Sequence, residues 1–82
     1  MANHVALAAS ANDALQSLPE PLRGRVFDLL EQLSDDAYVR GAKRINLDPP
    51  IWCVHVGDVR VVYHAYEDWQ FVHVTVVGRE PI

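Results

Sequence analysis

The sequence predicts an α+β fold in which two N-terminal helices pack on a small, mainly antiparallel sheet. Apolar residues recur at helical spacing over residues 22–33, which indicates an amphipathic helix with one face turned toward a core. After residue 50 the pattern changes to segments rich in β-branched and aromatic residues, which is typical of strands. Short polar connections at residues 57–58 and 67–68 join these segments, so neighbouring strands are expected to run antiparallel. The length of 82 residues predicts one domain, residues 1–82.

The first half of the chain is expected to contribute one strand and both helices. Residues 4–9 alternate weakly in polarity and predict a first strand, which ends at Ser10, the predicted cap of the following helix. Residues 11–18 predict a short helix that Pro19 stops, and Pro21 suits the first turn of the second helix. The predicted order is therefore β-α-α, followed by three or four strands.

The second half is expected to form a meander of antiparallel strands. The predicted strands are Lys43–Leu47 and residues 51–56, 59–66 and 69–77. If the last two connections are two-residue turns, every cross-strand pair is fixed. Tyr66 then faces Trp69, while Arg60 faces His55 on one side and Thr75 on the other.

Alternation along these strands separates the sheet into two faces of different character. The valine-rich face, expected to pack on the helices, carries Trp52, Val54, Val56, Val59, Val61, Tyr63, Val72, Val74 and Val76. The opposite, half-polar face carries Cys53, His55, Arg60, Val62, His64, Phe71, His73, Thr75 and, if no bulge intervenes, Arg79. Because opposed residues on neighbouring strands lie side by side, the histidines and arginines of this face are expected to cluster.

Composition restricts the classes of function. The net charge is -4, and the acidic residues dominate before residue 40, so an anion site must be a local arrangement of cations in the second half. No apolar segment is long enough to span a bilayer, and the N-terminus does not resemble a secretory leader, so a cytoplasmic location without membrane contact is expected. Cys53 is the single cysteine and cannot form an internal disulfide, which is consistent with a reducing compartment.

Two interpretations compete for the half-polar face. An antiparallel sheet covered on one side leaves its other side in water, where histidine, threonine and arginine are ordinary residues. Alternatively, paired arginines on a rigid sheet bind a phosphate through planar guanidinium groups, and a neighbouring histidine moves protons near neutral pH. Such a site could promote attack of a ribose hydroxyl on the adjacent phosphate of RNA.

Two other chemistries have weaker support. His55, His64 and His73 lie on different strands without metal-ligand spacing, and no carboxylate shares their face, so neither a metal nor another cofactor is expected. A buried apolar thiol is a better interpretation of Cys53 than a nucleophile. The rings of the valine-rich face are more typical of a core than of a base-stacking platform.

The order of elements and several short motifs resemble the RelE/ParE superfamily of toxins. The segment Val56-Gly57-Asp58-Val59-Arg60-Val61-Val62-Tyr63 is similar to the family's Val-Gly-Asp-Tyr-Arg-x-x-Tyr hairpin. The helix pair with Ala14-Leu15 and Leu18-Pro19, the Lys43-x-x-x-Leu47 stretch and the ending Val77-Gly78-Arg79-Glu80 are also similar to the family pattern. The resemblance covers nearly the whole chain and implies the fold predicted above.

The resemblance also implies functional residues. Arg60 matches the hairpin arginine that contacts the scissile phosphate in RNA-cutting members, and Arg79 matches the arginine that ends the last strand. The implied catalytic residues are Arg60, Arg79 and His55, with His55 acting as both acid and base. Cys53 and His55 occupy positions where active ribonucleases often carry lysine or arginine, so a weaker phosphate affinity is expected. The sequence ends at Ile82, where such toxins often continue to a catalytic tyrosine or histidine. The expected substrate-binding residues are Lys43, Arg44, His64, His73 and Thr75.

Three functions are compatible with this resemblance. The first is a metal-independent endoribonuclease of RelE type, an mRNA interferase that cuts messenger RNA on the ribosome. The second is a ParE-like, non-enzymatic inhibitor of DNA gyrase. The third is a catalytically decayed toxin fold, retained as an antitoxin-binding or self-associating module and possible as a homodimer. Each implies a cognate antitoxin, usually a flexible segment that wraps the toxin, although the acidic helices offer another surface for a basic segment.

Overall fold

The computed structural model describes residues 3–47 and 49–79, in which two helices pack on one face of a five-stranded sheet. The elements are β1 (His4–Leu7), α1 (Ala9–Gln16), α2 (Leu22–Asp35), β2 (Lys43–Leu47), β3 (Pro50–Val56), β4 (Val59–Tyr66) and β5 (Phe71–Arg79), with a 3₁₀ turn over Glu67–Trp69. The strand order is β1-β5-β4-β3-β2, and β1 runs parallel to β5 while the other pairs are antiparallel. The predicted fold class and element order are confirmed. Neither described helix combines the length and the apolar character needed to cross a membrane.

The first helix begins earlier than the sequence predicts. Ala8 rather than Ser10 is the N-cap residue, and it makes no side-chain cap hydrogen bond. Its backbone N–H donates to the carbonyl oxygen of Val74 at 2.9 Å, so contact between the first strand and β5 continues up to the start of α1. Ser10 therefore lies inside the first turn of α1, and its predicted role as the cap was wrong.

The core lies between the helices and the valine-rich face of the sheet. Its buried side chains are Ala11, Leu15, Leu18, Val26, Leu29 and Leu33 from the helical half and Val54, Val59, Val61, Tyr63, Ala65, Val72, Val74 and Val77 from the strands. Fully burying one large aliphatic side chain contributes about 1.5–3 kcal/mol, so this layer fixes the helices on one side of the sheet. Tyr63 is completely buried here, and its hydroxyl donates to the carbonyl oxygen of Ala37 at 2.7 Å.

The connection between β3 and β4 is the predicted two-residue turn. Val56 pairs with Val59, and Gly57 between them has a φ of 61°. A positive φ at the first central residue is what a type II′ hairpin turn requires, and glycine adopts it without a steric penalty. The resulting register places His55 opposite Arg60, which confirms that prediction.

The connection between β4 and β5 is longer than predicted. Tyr66 pairs with Phe71 rather than with Trp69, because residues 67–69 form the 3₁₀ turn and Gln70 adopts a left-handed conformation with φ 48°. Trp69 lies outside the sheet and is 81% exposed. The prediction of a two-residue turn with a strand starting at Trp69 was wrong.

A β-bulge in β5 changes the register a second time. Between Val74 and Val76 the pairing with β4 shifts by one residue, so that Thr75 is an extra residue on the β5 side. Past the bulge the alternation is reversed. Val77 is therefore buried in the core at 4% exposure, whereas Val76, which the sequence placed in the core, is 40% exposed.

Candidate functional site

The candidate site lies on the face of the sheet opposite the helices, at the end formed by the β3–β4 hairpin. His55 near the end of β3 and Arg60 near the start of β4 are directly paired, and both side chains are exposed. Directly paired residues project from the same face of a sheet and lie side by side. The tight turn between the two strands therefore holds an imidazole next to a guanidinium. These two residues are called the hairpin cluster.

Arg79 does not join the hairpin cluster. The bulge in β5 brings Gly78 opposite Arg60 and places Arg79 opposite Val59. Val59 is completely buried beneath the helices, so the register assigns Arg79 to the helix-covered side of the sheet. Its guanidinium binds the carboxylate of Asp58, with Nη2 at 2.8 Å and Nε at 2.9 Å from Oδ2. The prediction that both arginines project from one face was wrong, because the bulge reverses the side on which β5 residues project.

Thr75 is held within the bulge. Its hydroxyl donates to the backbone carbonyl oxygen of Val62 at 3.3 Å, and its side chain is half-buried. The predicted pairing of Thr75 with Arg60 was wrong, since Gly78 occupies that place. The hydroxyl thus stabilises the bulge, and the residue predicted to bind substrate lies away from the hairpin cluster.

Lys43 and Arg44 belong to opposite sides of the sheet. Lys43 pairs with Cys53, which precedes His55 by two residues and therefore lies on the same face as the hairpin cluster. Cys53 is buried, as the sequence predicted. Arg44 pairs with Trp52, and its guanidinium carbon lies 5.8 Å from the centre of the Trp52 ring, a cation–π contact. Of the two predicted substrate-binding cations, only Lys43 therefore shares a face with the hairpin cluster.

His64 and His73 are directly opposed at the other end of this face. His64 lies four residues from Arg60 along β4, a separation of about 13 Å in an extended strand, so these histidines cannot share one phosphate with Arg60. Across residues 3–47 and 49–79, no group of three or more histidine, cysteine or acidic side chains is placed to hold a metal ion. His64 and His73 belong instead to a group of aromatic and imidazole rings, called the ring row, which consists of His4, His64, Tyr66, Phe71 and His73.

Neighbouring rings of the ring row are nearly parallel. Their centroids lie 5.8 Å apart for His4 and Phe71, 5.9 Å for Tyr66 and Phe71, 6.0 Å for Phe71 and His73, and 5.8 Å for His64 and Tyr66, with interplanar angles of 15° to 25°. The hydroxyl of Tyr66 lies 3.2 Å from Nδ1 of His64, within hydrogen-bond distance. Five rings from three adjacent strands therefore form one continuous surface.

Sequence reasoning placed His64, Phe71 and His73 on this face but missed the other two members of the ring row. Tyr66 follows the alternation of β4 that also exposes His64, so that alternation was the signal by which it could have been found. His4 reaches the row because β1 pairs with β5 in parallel, with His4 next to Phe71. No local sequence pattern indicates that pairing.

The backbone of this chain is similar to those of several solved structures, although its sequence has no match. No protein-family model matches the sequence, and no curated protein matches it. Solved structures do match. The chain is similar to a structure of the RelBE2 toxin–antitoxin complex from Mycobacterium tuberculosis, at 18% identity and a TM-score of 0.80 over 98% of this chain and 100% of the other. It is similar to the RelE-RelB complex from Pyrococcus horikoshii, at 20% identity and a TM-score of 0.83 over 96% of each chain. It is also similar to the isolated E. coli RelE toxin, at 16% identity and a TM-score of 0.84 over 99% of this chain and 87% of the other.

The chain has the RelE fold. The resemblance to the RelE/ParE superfamily, drawn from the hairpin motif around Arg60, is confirmed at the level of the fold. Because the match extends over nearly all of this chain, it includes the strands that carry both the hairpin cluster and the ring row.

One ionisable group in the core of this RelE fold has a strongly shifted acidity. Burial raises the pKa of Tyr63 to about 12, and electrostatic interactions with Asp36 and Cys53 raise it further. The hydroxyl therefore stays protonated near neutral pH and keeps its hydrogen bond to Ala37. Tyr63 thereby connects β4 to the segment that follows α2, beneath the candidate site.

Proposed function

We propose that this protein is the toxin of a type II toxin–antitoxin pair and that it cleaves messenger RNA on the ribosome. The observation that carries the proposal is the hairpin cluster, a guanidinium beside an imidazole on an exposed sheet face of a RelE fold. A guanidinium offers a planar fork of donors to two phosphate oxygens, and an imidazole exchanges protons near neutral pH. Both groups needed to activate an RNA phosphate and its neighbouring ribose therefore adjoin each other.

In this scheme Arg60 binds the scissile phosphate and stabilises the negative charge that develops on it. His55 accepts the proton of the ribose 2′ hydroxyl, whose oxygen attacks the adjacent phosphorus. The bond from phosphorus to the 5′ oxygen breaks, and that oxygen takes a proton from a solvent water, whose hydroxide is neutralised by the proton that His55 releases. The products are a strand ending in a 2′,3′-cyclic phosphate and a strand beginning with a 5′ hydroxyl.

The charge of the protein supports a target presented by the ribosome. A protein that holds RNA by itself usually has a broad basic surface, because phosphate contacts supply most of its affinity. Here the net charge is -4, and the hairpin cluster contains a single arginine. Messenger RNA already fixed by the ribosome would need only local contacts from the protein, which this site can provide.

An antitoxin partner has a suitable surface at the β2 edge of the sheet. All five residues of β2 are exposed, and its outer edge can accept a further strand from an extended peptide. Beside it lies a groove of about 410 Å³, lined in part by Leu47, Trp52 and Trp69. Leu47 is 72% exposed and Trp69 is 81% exposed, so the groove offers apolar contacts next to an unpaired strand edge. Several of the similar structures are complexes of a toxin with its antitoxin.

One observation favours a second candidate, a non-enzymatic toxin that inhibits DNA gyrase through protein contacts. The register leaves the hairpin cluster with one guanidinium, because Gly78 faces Arg60 and Asp58 binds Arg79. A single arginine stabilises developing phosphate charge less than a pair does.

The decisive experiment is brief expression of the chain in bacteria, followed by growth measurement and sequencing of RNA ends. We expect growth inhibition and new cuts in messenger RNA, both abolished by Arg60→Ala, with a melting temperature within about 3 °C of the parent since the side chain is exposed. Arg79→Ala is the matched control, because it removes an exposed arginine outside the hairpin cluster, and it should retain the cuts.

Unimpaired growth with abundant soluble protein would overturn the toxin proposal. Growth inhibition without new RNA ends, accompanied by DNA-damage signalling, would instead support gyrase as the target. Relief of growth inhibition by co-expression of a neighbouring small gene would identify the antitoxin.

A further inference from the structure

We propose that the ring row binds unpaired nucleobases of a single-stranded RNA that runs along the sheet from the hairpin cluster. The inference rests on the proposed function in that it takes RNA as the ligand, and it assigns a base-binding role to residues that the cleavage scheme does not use. The members of the ring row are His4, His64, Tyr66, Phe71 and His73.

The chemistry of the ring row fits bases better than it fits an apolar partner. Four of its five rings carry a nitrogen or a hydroxyl, so the surface offers both flat ring faces and hydrogen-bonding edges. Every nucleobase has the same combination of a flat face and a polar edge. Sheet proteins that bind single-stranded RNA use ring side chains in this way, stacking successive bases on them.

The exposure of the ring row agrees with a ligand-binding surface. Tyr66 is 37% exposed, His4 is exposed, and the other three rings are half-buried. The helices pack on the opposite face of the sheet. Near-parallel orientation, with interplanar angles up to 25°, presents the rings in a consistent direction to a strand of bases.

Charges at the two ends of the half-polar face determine where the phosphates and the bases of such an RNA lie. Glu67 and Asp68 follow Tyr66 directly and are exposed, so phosphate is disfavoured at that end of the ring row. Arg60 lies at the opposite end of the same face, about 13 Å from His64 along β4, and favours phosphate there. Bases are therefore expected on the rings and the scissile phosphate at the hairpin cluster.

The test is binding of the purified full chain to a short fluorescein-labelled oligouridine, compared with a ribose-phosphate strand of equal length that lacks bases. Phe71→Leu keeps an apolar side chain but removes the central ring, and we expect about tenfold weaker binding of the oligouridine, since one base–aromatic stack contributes about that much. Binding of the base-free strand should not change. Val76→Ala is the matched control, because it alters an exposed residue of β5 that carries no ring.

Tyr66 provides a second, independent pair of variants. Tyr66→Leu should weaken oligouridine binding as Phe71→Leu does, whereas Tyr66→Phe keeps the ring and should retain the affinity. Circular dichroism melting of each variant verifies that the fold is intact. Unchanged oligouridine binding in both leucine variants, or an equal loss for the base-bearing and base-free strands, would overturn the inference.

The binding test is separable from the test of the proposed function. If expression of the chain leaves growth and RNA ends unaffected while the leucine variants still lose oligouridine binding, the cleavage proposal fails and the base-binding site stands. If Arg60-dependent RNA cuts appear while the leucine variants bind oligouridine normally, the toxin proposal stands and the base-binding site fails.

Discussion

Arg60 lies directly opposite Gly78 across β4 and β5, whereas Arg79, one residue further, lies opposite the buried Val59. This single-residue offset results from the bulge at Thr75. Among the described residues of β4 and β5, it leaves Arg60 as the guanidinium on the exposed face at the hairpin end and puts a glycine where a second cation would adjoin it. The position of Gly78 therefore offers a direct way to alter the charge of the hairpin cluster.

Gly78→Arg is expected to strengthen RNA binding at the hairpin cluster. A Cβ atom added at Gly78 meets nothing within 4 Å, and the pairing of Gly78 with Arg60 places a side chain introduced there on the same face. A hydrogen bond to a charged group contributes about 1.5–3 kcal/mol, so oligouridine affinity should rise about tenfold or more. One further phosphate contact should also steepen the logarithmic salt dependence by about 0.7. Gly78→Ala is the control, since it tests the backbone without adding charge, and equal affinity of both variants would contradict the prediction.

The ion pair between Arg79 and Asp58 is expected to contribute little to stability. The side chains are 53% and 34% exposed, and exposed ion pairs are typically worth about 0.2–1 kcal/mol because water and salt screen them. Urea unfolding of Arg79→Ala, Asp58→Ala and the double variant isolates the coupling free energy. A coupling above about 2 kcal/mol would show that the pair stabilises the sheet end more strongly than its exposure implies.

Stability is expected to fall in alkali because of Tyr63. Its pKa is about 12 in the folded chain against an ordinary value of 10.0, so the folded state holds the proton more tightly than the unfolded state. The associated stabilisation is present in full below pH 10 and is lost as the pH rises from 10 to about 12. This amounts to roughly 2–3 kcal/mol at the upper limit.

Tyr63→Phe separates this effect from the titration of other groups. The variant should lose about 1 kcal/mol at pH 7, because the hydrogen bond to Ala37 is removed, yet its stability should change less between pH 10 and 12. Unfolding by urea at several pH values measures both quantities. Parallel stability curves for the parent and the variant across this range would contradict the assignment.

Gly57→Ala is expected to destabilise the β3–β4 hairpin. Gly57 has a φ of 61°, and an added Cβ atom would lie 3.1 Å from Cδ2 of Leu22. The left-handed conformation alone costs a residue with a Cβ about 1–2 kcal/mol, and the contact with Leu22 adds to this. Gly41→Ala is the matched control, since Gly41 also has a positive φ, 88°, but an added Cβ atom meets nothing there. A larger loss in the Gly41 variant than in the Gly57 variant, measured by urea unfolding, would refute the role of the contact.

The hairpin cluster could be predicted from the sequence because its turn carries a strong local pattern. Gly57 followed by an acidic residue between two valine-rich segments fixes a two-residue turn, and alternation then pairs His55 with Arg60. The amphipathic stripe of α2 was equally informative, since Val26, Leu29 and Leu33 are all buried as their spacing indicates.

The position of Arg79 could not be predicted, because nothing local distinguishes the two possible registers of β5. Val76 and Val77 are the same residue type, so either can face the core, and no glycine or proline marks the bulge between them and Val74. The left-handed residue before β5 is Gln70, a residue type that does not indicate such a conformation. The longer connection shifts the pairing by two residues, which keeps each side chain on its predicted face, so the bulge alone moves Arg79 to the other side of the sheet.

The parallel pairing of β1 with β5 has a consequence for the order of events during synthesis. These strands come from opposite ends of the described chain, and α1 packs mainly on β5. While the nascent polypeptide is still growing, β1 and α1 have no finished strand to dock against until β5 has emerged from the exit tunnel. Closure through such distant segments is slow compared with the formation of local hairpins. A chain with this topology therefore completes its sheet only after β5 has been translated.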